Sequence, residues 1–149
     1  NPWHANFTYT NAKFTEVNPS TSAESVFSAA AVGNFVPYIP QWQFNVGTGL
    51  IIRKFSVNAA VRYVAETFAT GNTSSSQINP LTGVLDSRFG TTDSFAVLDL
   101  SSSYQYNKNM KFFTNFYNVS NSQYMVTRLP EGPRPGTPLL MFAGIEVSF

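Results

Sequence analysis

The sequence predicts an all-β fold: a transmembrane antiparallel β-barrel segment of about six long strands. Three observations predict it. Apolar and polar residues alternate with period two over unusually long runs. The connections between these runs are tight turns in some places and long Ser/Thr/Asn/Gly/Pro-rich loops in others. Charged residues make up only 11% of the chain, less than half of the roughly 25% usual in a soluble globular domain.

The first run starts at the beginning of the chain. Trp3, Ala5, Phe7 and Tyr9 share one face, and His4, Asn6, Thr8 and Thr10 share the other, in a first strand placed within residues 3–14. The second pairs Trp42, Phe44, Val46, Thr48, Leu50 and Ile52 against Gln43, Asn45, Gly47, Gly49, Ile51 and Arg53. Only Arg53-Lys54 separates it from the third run, Phe55 to Glu66, so the two form a tight hairpin, without the Asn-Gly or Asp-Gly turn most common there. In the third run Phe55, Val57, Ala59, Val61, Tyr63 and Ala65 oppose Ser56, Asn58, Ala60, Arg62, Val64 and Glu66. The fourth run is Ser94 to Tyr106, the fifth Met110 to Tyr117 across the turn Asn107-Lys108-Asn109, and the last Leu139 to Phe149. Residues 15–40, 67–92 and 119–137 are left as long loops. Short turns at one end and long loops at the other is the pattern of an outer-membrane barrel, in which about 9–11 residues per strand suffice to cross.

Charge placement agrees. Arg62, Asp99, Lys111 and Glu146, the charges inside the strands, all fall on the more polar face. Arg or Lys facing lipid near the midplane costs about 2–4 kcal/mol. Aromatic rings sort into two bands: Trp3, Phe55, Tyr104, Tyr106 and Phe149 near the tight turns, and Tyr9, Trp42 and Tyr63 towards the long loops. Membrane interfaces select such bands. A soluble antiparallel sandwich also alternates, but strand length, low charge and loop asymmetry argue against it. A diffusion porin should line its lumen with many charges, and this polar face is mostly Ser, Asn, Gly and Thr.

Composition excludes other classes. The net charge of +1 does not suit an electrostatic nucleic-acid binder. A hydrophobic content of 43% is too high for charge-driven disorder. With no Cys there is no disulfide scaffold and no thiolate metal site. A single His, His4, cannot build a His-based triad or a multi-His metal centre. No catalytic constellation is visible, so no enzyme is expected. No run of about 18 apolar residues offers a membrane-spanning helix. The start, Asn1-Pro2-Trp3-His4, has neither an initiator Met nor a signal-peptide pattern, which reads as a mature, cleaved or truncated chain.

Three passages carry a family resemblance. Gly33 to Pro40, GNFVPYIP, leads into the second strand. Phe95-Ala96-Val97-Leu98-Asp99-Leu100-Ser101 with Tyr104 forms the fourth. Asn118-Val119-Ser120-Asn121 with Tyr124 is followed by the loop Arg128-Leu129-Pro130-Glu131-Gly132-Pro133-Arg134-Pro135-Gly136-Thr137-Pro138 and a last strand ending in Phe149. Together they resemble, in order, the C-terminal barrel portion of TonB-dependent outer-membrane receptors, above all receptors for ferric citrate and siderophores. The sequence departs from the family pattern where Val119-Ser120-Asn121 replaces Leu-Phe-Asp, and where Leu139 stands at a position often occupied by Arg.

The resemblance implies that residues 1–149 are the last six strands of a 22-stranded barrel, with the plug domain and earlier strands outside this sequence. Six strands are fewer than the eight of the smallest single-chain bacterial barrels and would leave two unpaired edges in lipid, so either the chain is part of a larger barrel or several copies close one multi-chain barrel channel together, and the resemblance favours the first. The resemblance also implies the partners: the remainder of the barrel and plug, the TonB-ExbB-ExbD complex acting through the plug, the barrel-assembly machinery, and outer-membrane lipid, with no nucleic acid. Phe149, Val147 and Ile145 match the terminal signal that the assembly machinery reads. The ferric chelate is cargo, so no resident cofactor and no protein-held metal are expected. An anionic chelate suits Arg ligands through bidentate hydrogen bonds. The candidates are Arg88, Arg128 and Arg134 in loops, with Arg62 and Gln43 facing the lumen. Against a ligand role, Arg134 sits in the family's loop motif and is expected to pin that loop, and Arg62 is expected to pair with Asp99 or a plug carboxylate.

Val61→Arg places a charge on the apolar face of the third strand and is expected to block assembly into the outer membrane. Normal heat-modifiable migration of the mutant barrel on gels would contradict the membrane assignment.

Overall fold

The computed structural model describes residues 2–18, 20, 22 and 25–149. Ten strands follow in order: β1 Trp3–Tyr9, β2 Trp42–Ile52, β3 Phe55–Val64, β4 Thr67–Phe68, β5 Thr91–Thr92, β6 Phe95–Gln105, β7 Met110–Tyr117, β8 Met125–Thr127, β9 Arg134–Pro135 and β10 Leu140–Val147. The six long ones form one sheet in the order β1-β2-β3-β6-β7-β10, with every pair antiparallel. The short ones make two small ribbons, β4-β5 and β8-β9, inside what the alternation leaves as plain loops.

Cross-strand register shows why the alternation holds. Phe7, Phe44, Tyr63 and Ala96 stand opposite one another along one row. Trp3, Thr48, Ala59, Leu100, Phe116 and Met141 form another row across all six strands. Ile52, Phe55, Tyr104, Phe112 and Ile145 form a third, towards the tight turns. A slip of one residue in any pair would turn that strand's apolar set to the other face. The result is a continuous apolar face that is open to its surroundings: Trp3 is 75% exposed and Met141 64%. Its one close hydroxyl pair, Ser102 and Thr114, is satisfied across the strands at 2.7 Å. Aromatic rings crowd its long-loop end, where Tyr9 lies 4.3 Å and Phe7 5.4 Å from Trp42, and Phe44 stacks on Tyr63 at 5.0 Å.

The other face carries Asn6, Gln43, Asn45, Asn58, Arg62, Asp99, Ser101, Lys111, Asn115 and Glu146. At its β10 end it turns aromatic, with Tyr117 packed edge-on against Phe142 at 5.9 Å. Phe113 lies directly over Gly144, its partner in register, where a side chain of any size would collide with the ring. Rings laid over strand glycines in this way restore the packing that glycine lacks.

The turns have identifiable chemistry. Arg53 takes a left-handed φ of 54°, the conformation that Gly or Asn usually supplies. The Arg53-Lys54 turn is tied sideways to β6, since Lys54 accepts the Gln105 N–H at 2.8 Å and donates from Nζ to the Tyr106 carbonyl at 2.8 Å. In the second turn Asn107 Oδ1 accepts the Asn109 N–H at 2.9 Å. Asn109 then holds the chain end by exchanging bonds with the Ser148 backbone at 2.7 and 2.9 Å.

Boundaries shift from the sequence expectation by one residue at both ends of β6 and at the start of β10, and differ more at three places. The first strand ends at Tyr9, and pairing continues irregularly to Phe14, which exchanges bonds with Gly33 and Asn34 at 2.9 Å. β3 stops at Val64, although Ala65 still donates to the Trp42 carbonyl. β10 ends at Val147, so Phe149 lies beyond the ladder and fully exposed. Alternation of side chains does not report where the ladder stops.

Among the described residues the buried apolar side chains are Ala30, Ala69, Phe89, Val97 and Leu129, and only Val97 belongs to a long strand. The core of this chain therefore sits in its loops. The sheet buries almost nothing, because both of its faces await other surroundings.

Gly144→Ala forces Phe113 out of its position and is expected to destabilise the β7-β10 pairing by about 1–3 kcal/mol, the scale of overpacking. The check is a lower unfolding midpoint in denaturant for the purified receptor. An unchanged midpoint would show that the ring moves without cost.

Candidate functional site

The three long loops pack into one body at the end of the sheet. The first loop meets the second where Tyr38 N donates to the Phe68 carbonyl at 3.0 Å and Asn34 Nδ2 to the Gly71 carbonyl at 2.7 Å. Gly71 N donates back to the Val26 carbonyl at 2.9 Å, and Phe35 stacks on Phe68. Thr67 and Thr92 join β4 to β5 through their hydroxyls at 2.7 Å, both buried. Phe89, Ala69 and Thr70 of the second loop have no exposed surface, and Ala69 N donates to the Gly90 carbonyl at 3.0 Å.

Arg128 locks the third loop onto the other two. It is only 7% exposed. Its Nε donates to the Thr91 carbonyl at 2.6 Å and its Nη1 to the Ser87 carbonyl at 3.0 Å. Its backbone N–H donates to the Tyr38 hydroxyl at 3.1 Å. A guanidinium buried against carbonyls is held by charge-assisted hydrogen bonds, here from its Nε and Nη1. The loop-pinning role expected for Arg134 thus falls to Arg128. Arg134 is half exposed and pairs with Glu131 at 3.5 Å.

Asn118 is the second fastening, at the end of β7. It is 2% exposed and left-handed, with φ 51°. Its amide donates to the Ser122 and Thr137 carbonyls at 2.9 and 2.8 Å, and its Oδ1 accepts the Ser122 N–H at 2.9 Å. Its own N–H donates to Asp99 Oδ1 at 2.8 Å. Asn121, with φ 48°, accepts the Leu139 N–H at 3.1 Å. Asn tolerates left-handed backbone and bonds its own turn, which is why two Asn frame the Asn-Val-Ser-Asn passage. Tyr124 continues the fastening: it stacks on Phe95 at 4.1 Å and lies over Gly136, where a Cβ would collide with the ring.

Arg88 is bound within its own loop. Its Nε and Nη2 grip Asp86 at 2.9 and 2.8 Å, and its N–H donates to the same carboxylate at 3.1 Å. The Arg88 side-chain hydrogen bonds hold the Asp86 carboxyl below its usual range. A lowered native value means that the pair contributes stability above about pH 4, and that this is lost as acid protonates the carboxylate.

Arg62 and Gln43 stay together on the polar face. They line one shallow depression of about 200 Å³ with Asn6, Thr8 and Asn45. The expected ion pair between Arg62 and Asp99 does not form: Arg62 stands opposite Val97, and Asp99 opposite Ala60. Thus the structure brings Arg62 and Gln43 together on the polar face and keeps Arg88, Arg128 and Arg134 in the loop body, where Arg128 bonds to the Ser87 carbonyl next to Arg88. Sequence reasoning missed Tyr38 and Asn118 as fastenings, although both lie in the passages that carry the resemblance. Among the described residues no group of three or more His, Cys, Asp or Glu is placed to hold a metal ion.

Arg128→Met keeps the bulk but strands the Thr91 and Ser87 carbonyls, and is expected to cost the loop body about 3 kcal/mol. Hydrogen exchange should accelerate together in residues 34–38, 67–92 and 119–137. Acceleration confined to 119–137 would show that the loops are independent.

Residues 2–119 match the family described as TonB dependent receptor-like, beta-barrel. A comparison with curated proteins by sequence returned no match. Among solved structures, the chain is similar to the siderophore receptor PiuA from Acinetobacter baumannii, with TM-score 0.75 and 16% identity over 97% of this chain and 19% of that one. It is similar to the closed form of the ferric-catecholate import receptor Fiu from E. coli K12, with TM-score 0.68 and 23% identity over 99% of this chain and 19% of that one. It also resembles the unliganded ferric citrate transporter FecA, with TM-score 0.66 and 17% identity over 77% of this chain and 18% of that one. The chain spans about one fifth of the length of these receptors. At these identities the likeness shows the fold, and the sheet is open because it is part of a larger barrel. The register, the two-faced strands and the family match agree that this chain belongs to the β-barrel of the TonB-dependent receptors of the bacterial outer membrane.

Proposed function

We propose that residues 1–149 form the last six strands of a 22-stranded receptor that imports a ferric chelate, citrate- or siderophore-based, across the outer membrane. The observation that carries this reading is the two-faced six-stranded sheet capped by a fastened loop body, in a chain of the TonB-dependent receptor family. The solved receptors with this fold include ones for siderophores, ferric catecholates and ferric citrate. In this reading the long loops face outwards and the tight turns face the periplasm. The plug occupies the lumen, and TonB-ExbB-ExbD supplies energy through it. The terminal Phe149, with Val147 and Ile145 on the apolar face, presents the signal to the assembly machinery.

Function here is binding and gating, with no bond made or broken by the wall. The sheet's part is to hold the rim loops in place and to present polar groups to the lumen. The apolar face keeps the wall in lipid. A porin reading fits less well, because three of the four arginines first considered as ligands are engaged within the loops, leaving few free charges to line an aqueous channel.

The test is uptake of radioactive iron by cells that carry the whole receptor as their only ferric-chelate importer. Deleting the receptor, or deleting TonB, is expected to reduce uptake to background. Uptake that persists without TonB would refute active import and favour the porin.

A further inference from the structure

The charges of this chain are sorted by the ends of the sheet. At the tight-turn end stand Arg53, Lys54, Lys108 and Lys111 with one acid, Glu146. Lys111 and Glu146 pair at 3.3 Å, so the cations of the turns themselves have no acid beside them. The loop end, residues 10–41, 65–94 and 118–139, holds four cations and six acids. Arg62 and Asp99, inside the strands, cancel. The small net charge of the whole chain is thus the sum of a cationic end and an anionic end.

The two turns form one ledge. Lys54 ties them: its Nζ donates to the Tyr106 carbonyl at 2.8 Å, and its own carbonyl accepts the Gln105 N–H at 2.8 Å. An ammonium has three donors, so two remain for an outside acceptor. Arg53 and Lys108 are exposed, and among the described residues neither side chain has an ion-pair partner. The ledge runs over β2, β3, β6 and β7, neighbours about 4.8 Å apart. Next to it on the apolar face lies the row Ile52, Phe55, Tyr104 and Phe112, with Tyr106 edge-on to Phe112 at 6.4 Å. These side chains are exposed, and aromatic rings on the outer face of a barrel mark the border of the hydrocarbon. Cations one or two residues past that border stand at the level of lipid phosphates. Arg offers a phosphate a planar fork, and Lys a point charge.

We propose that the tight-turn ledge binds the headgroups of anionic phospholipids, with the phosphate against Arg53, Lys54 and Lys108 and the acyl chains against the aromatic row. Charge complementarity and continuity with the lipid-facing rows select this occupant. A periplasmic polyanion would meet the charges but would leave the adjoining rings unused. The site follows from the membrane placement of the sheet. Only the leaflet rests on the import reading, in which the tight turns face the periplasm.

The full-length receptor is reconstituted into bilayers of phosphatidylethanolamine and phosphatidylglycerol. One lipid or the other carries a photoreactive acyl chain, at equal mole fraction, and adducts are mapped by mass spectrometry. Phosphatidylglycerol should label residues 52–56 and 104–112 about fivefold more than phosphatidylethanolamine does, the scale of one cation at an anionic surface. The preference should fade in about 1 M salt, where the screening length is about 3 Å. Rings at the loop end, Tyr9, Trp42 and Tyr63, should be labelled equally by the two lipids. Arg53→Gln combined with Lys108→Gln, shown to assemble by heat-modifiable migration, should lose most of the preference, and Arg53→Lys combined with Lys108→Arg should keep it. Equal labelling of the turns by both lipids in the unmodified receptor overturns the site, as does a preference that survives the double Gln substitution. A receptor that imports no ferric chelate would refute the import reading and leave this comparison intact.

Discussion

The constraint on which the rest depends is that backbone N–H and C=O groups in a bilayer must be paired. The long strands meet it with five uninterrupted antiparallel ladders, and residues stay opposite one another from Ile52 and Phe55 at one end to Gln43 and Val64 at the other. Once the ladders are fixed, the side chains have no freedom to choose a face. Apolar rows point one way because the pleat repeats every two residues. Charge placement follows from the same geometry, and so does the pairing of Lys111 with Glu146, which are direct partners in register.

An inversion of ordinary globular architecture results. In a soluble domain the sheet would be the core and the loops the surface. Here Phe89, Ala69 and Leu129 are buried in the loops, while strand residues such as Val61 and Met141 are open. Lipid and lumen contents, rather than a second layer of this chain, complete the sheet. The loop body needs its own fastenings, and Arg128, Asn118 and the Tyr124-Gly136 contact supply them.

The strands were legible in the sequence because one physical cause, the two-faced wall, writes itself into every second residue. Arg62, Asp99, Lys111 and Glu146 fell on the polar face as alternation required. The loop body was not legible, because its contacts join stretches far apart in the chain with no period to reveal them. Arg128 and Arg134 look equivalent in a proline-rich loop, and only tertiary burial makes one a fastening and leaves the other at the surface. The missing Arg62–Asp99 pair has a similar cause. Sharing a face is necessary for an ion pair but not sufficient, and Asp99 accepts the Asn118 backbone N–H instead.

The bond between the Tyr38 hydroxyl and the Arg128 backbone joins positions 90 residues apart. Loops that stand alone can change one at a time, and these three are tied together. A substitution in the first that displaces Tyr38 removes an acceptor from the third, and a shift of the backbone at Ser87 or Thr91 moves the carbonyls that hold Arg128. Their diversification would be concerted, with compensating changes arriving in sets, and the surface would present itself to a binder as a single conformational feature rather than as three separable peptides.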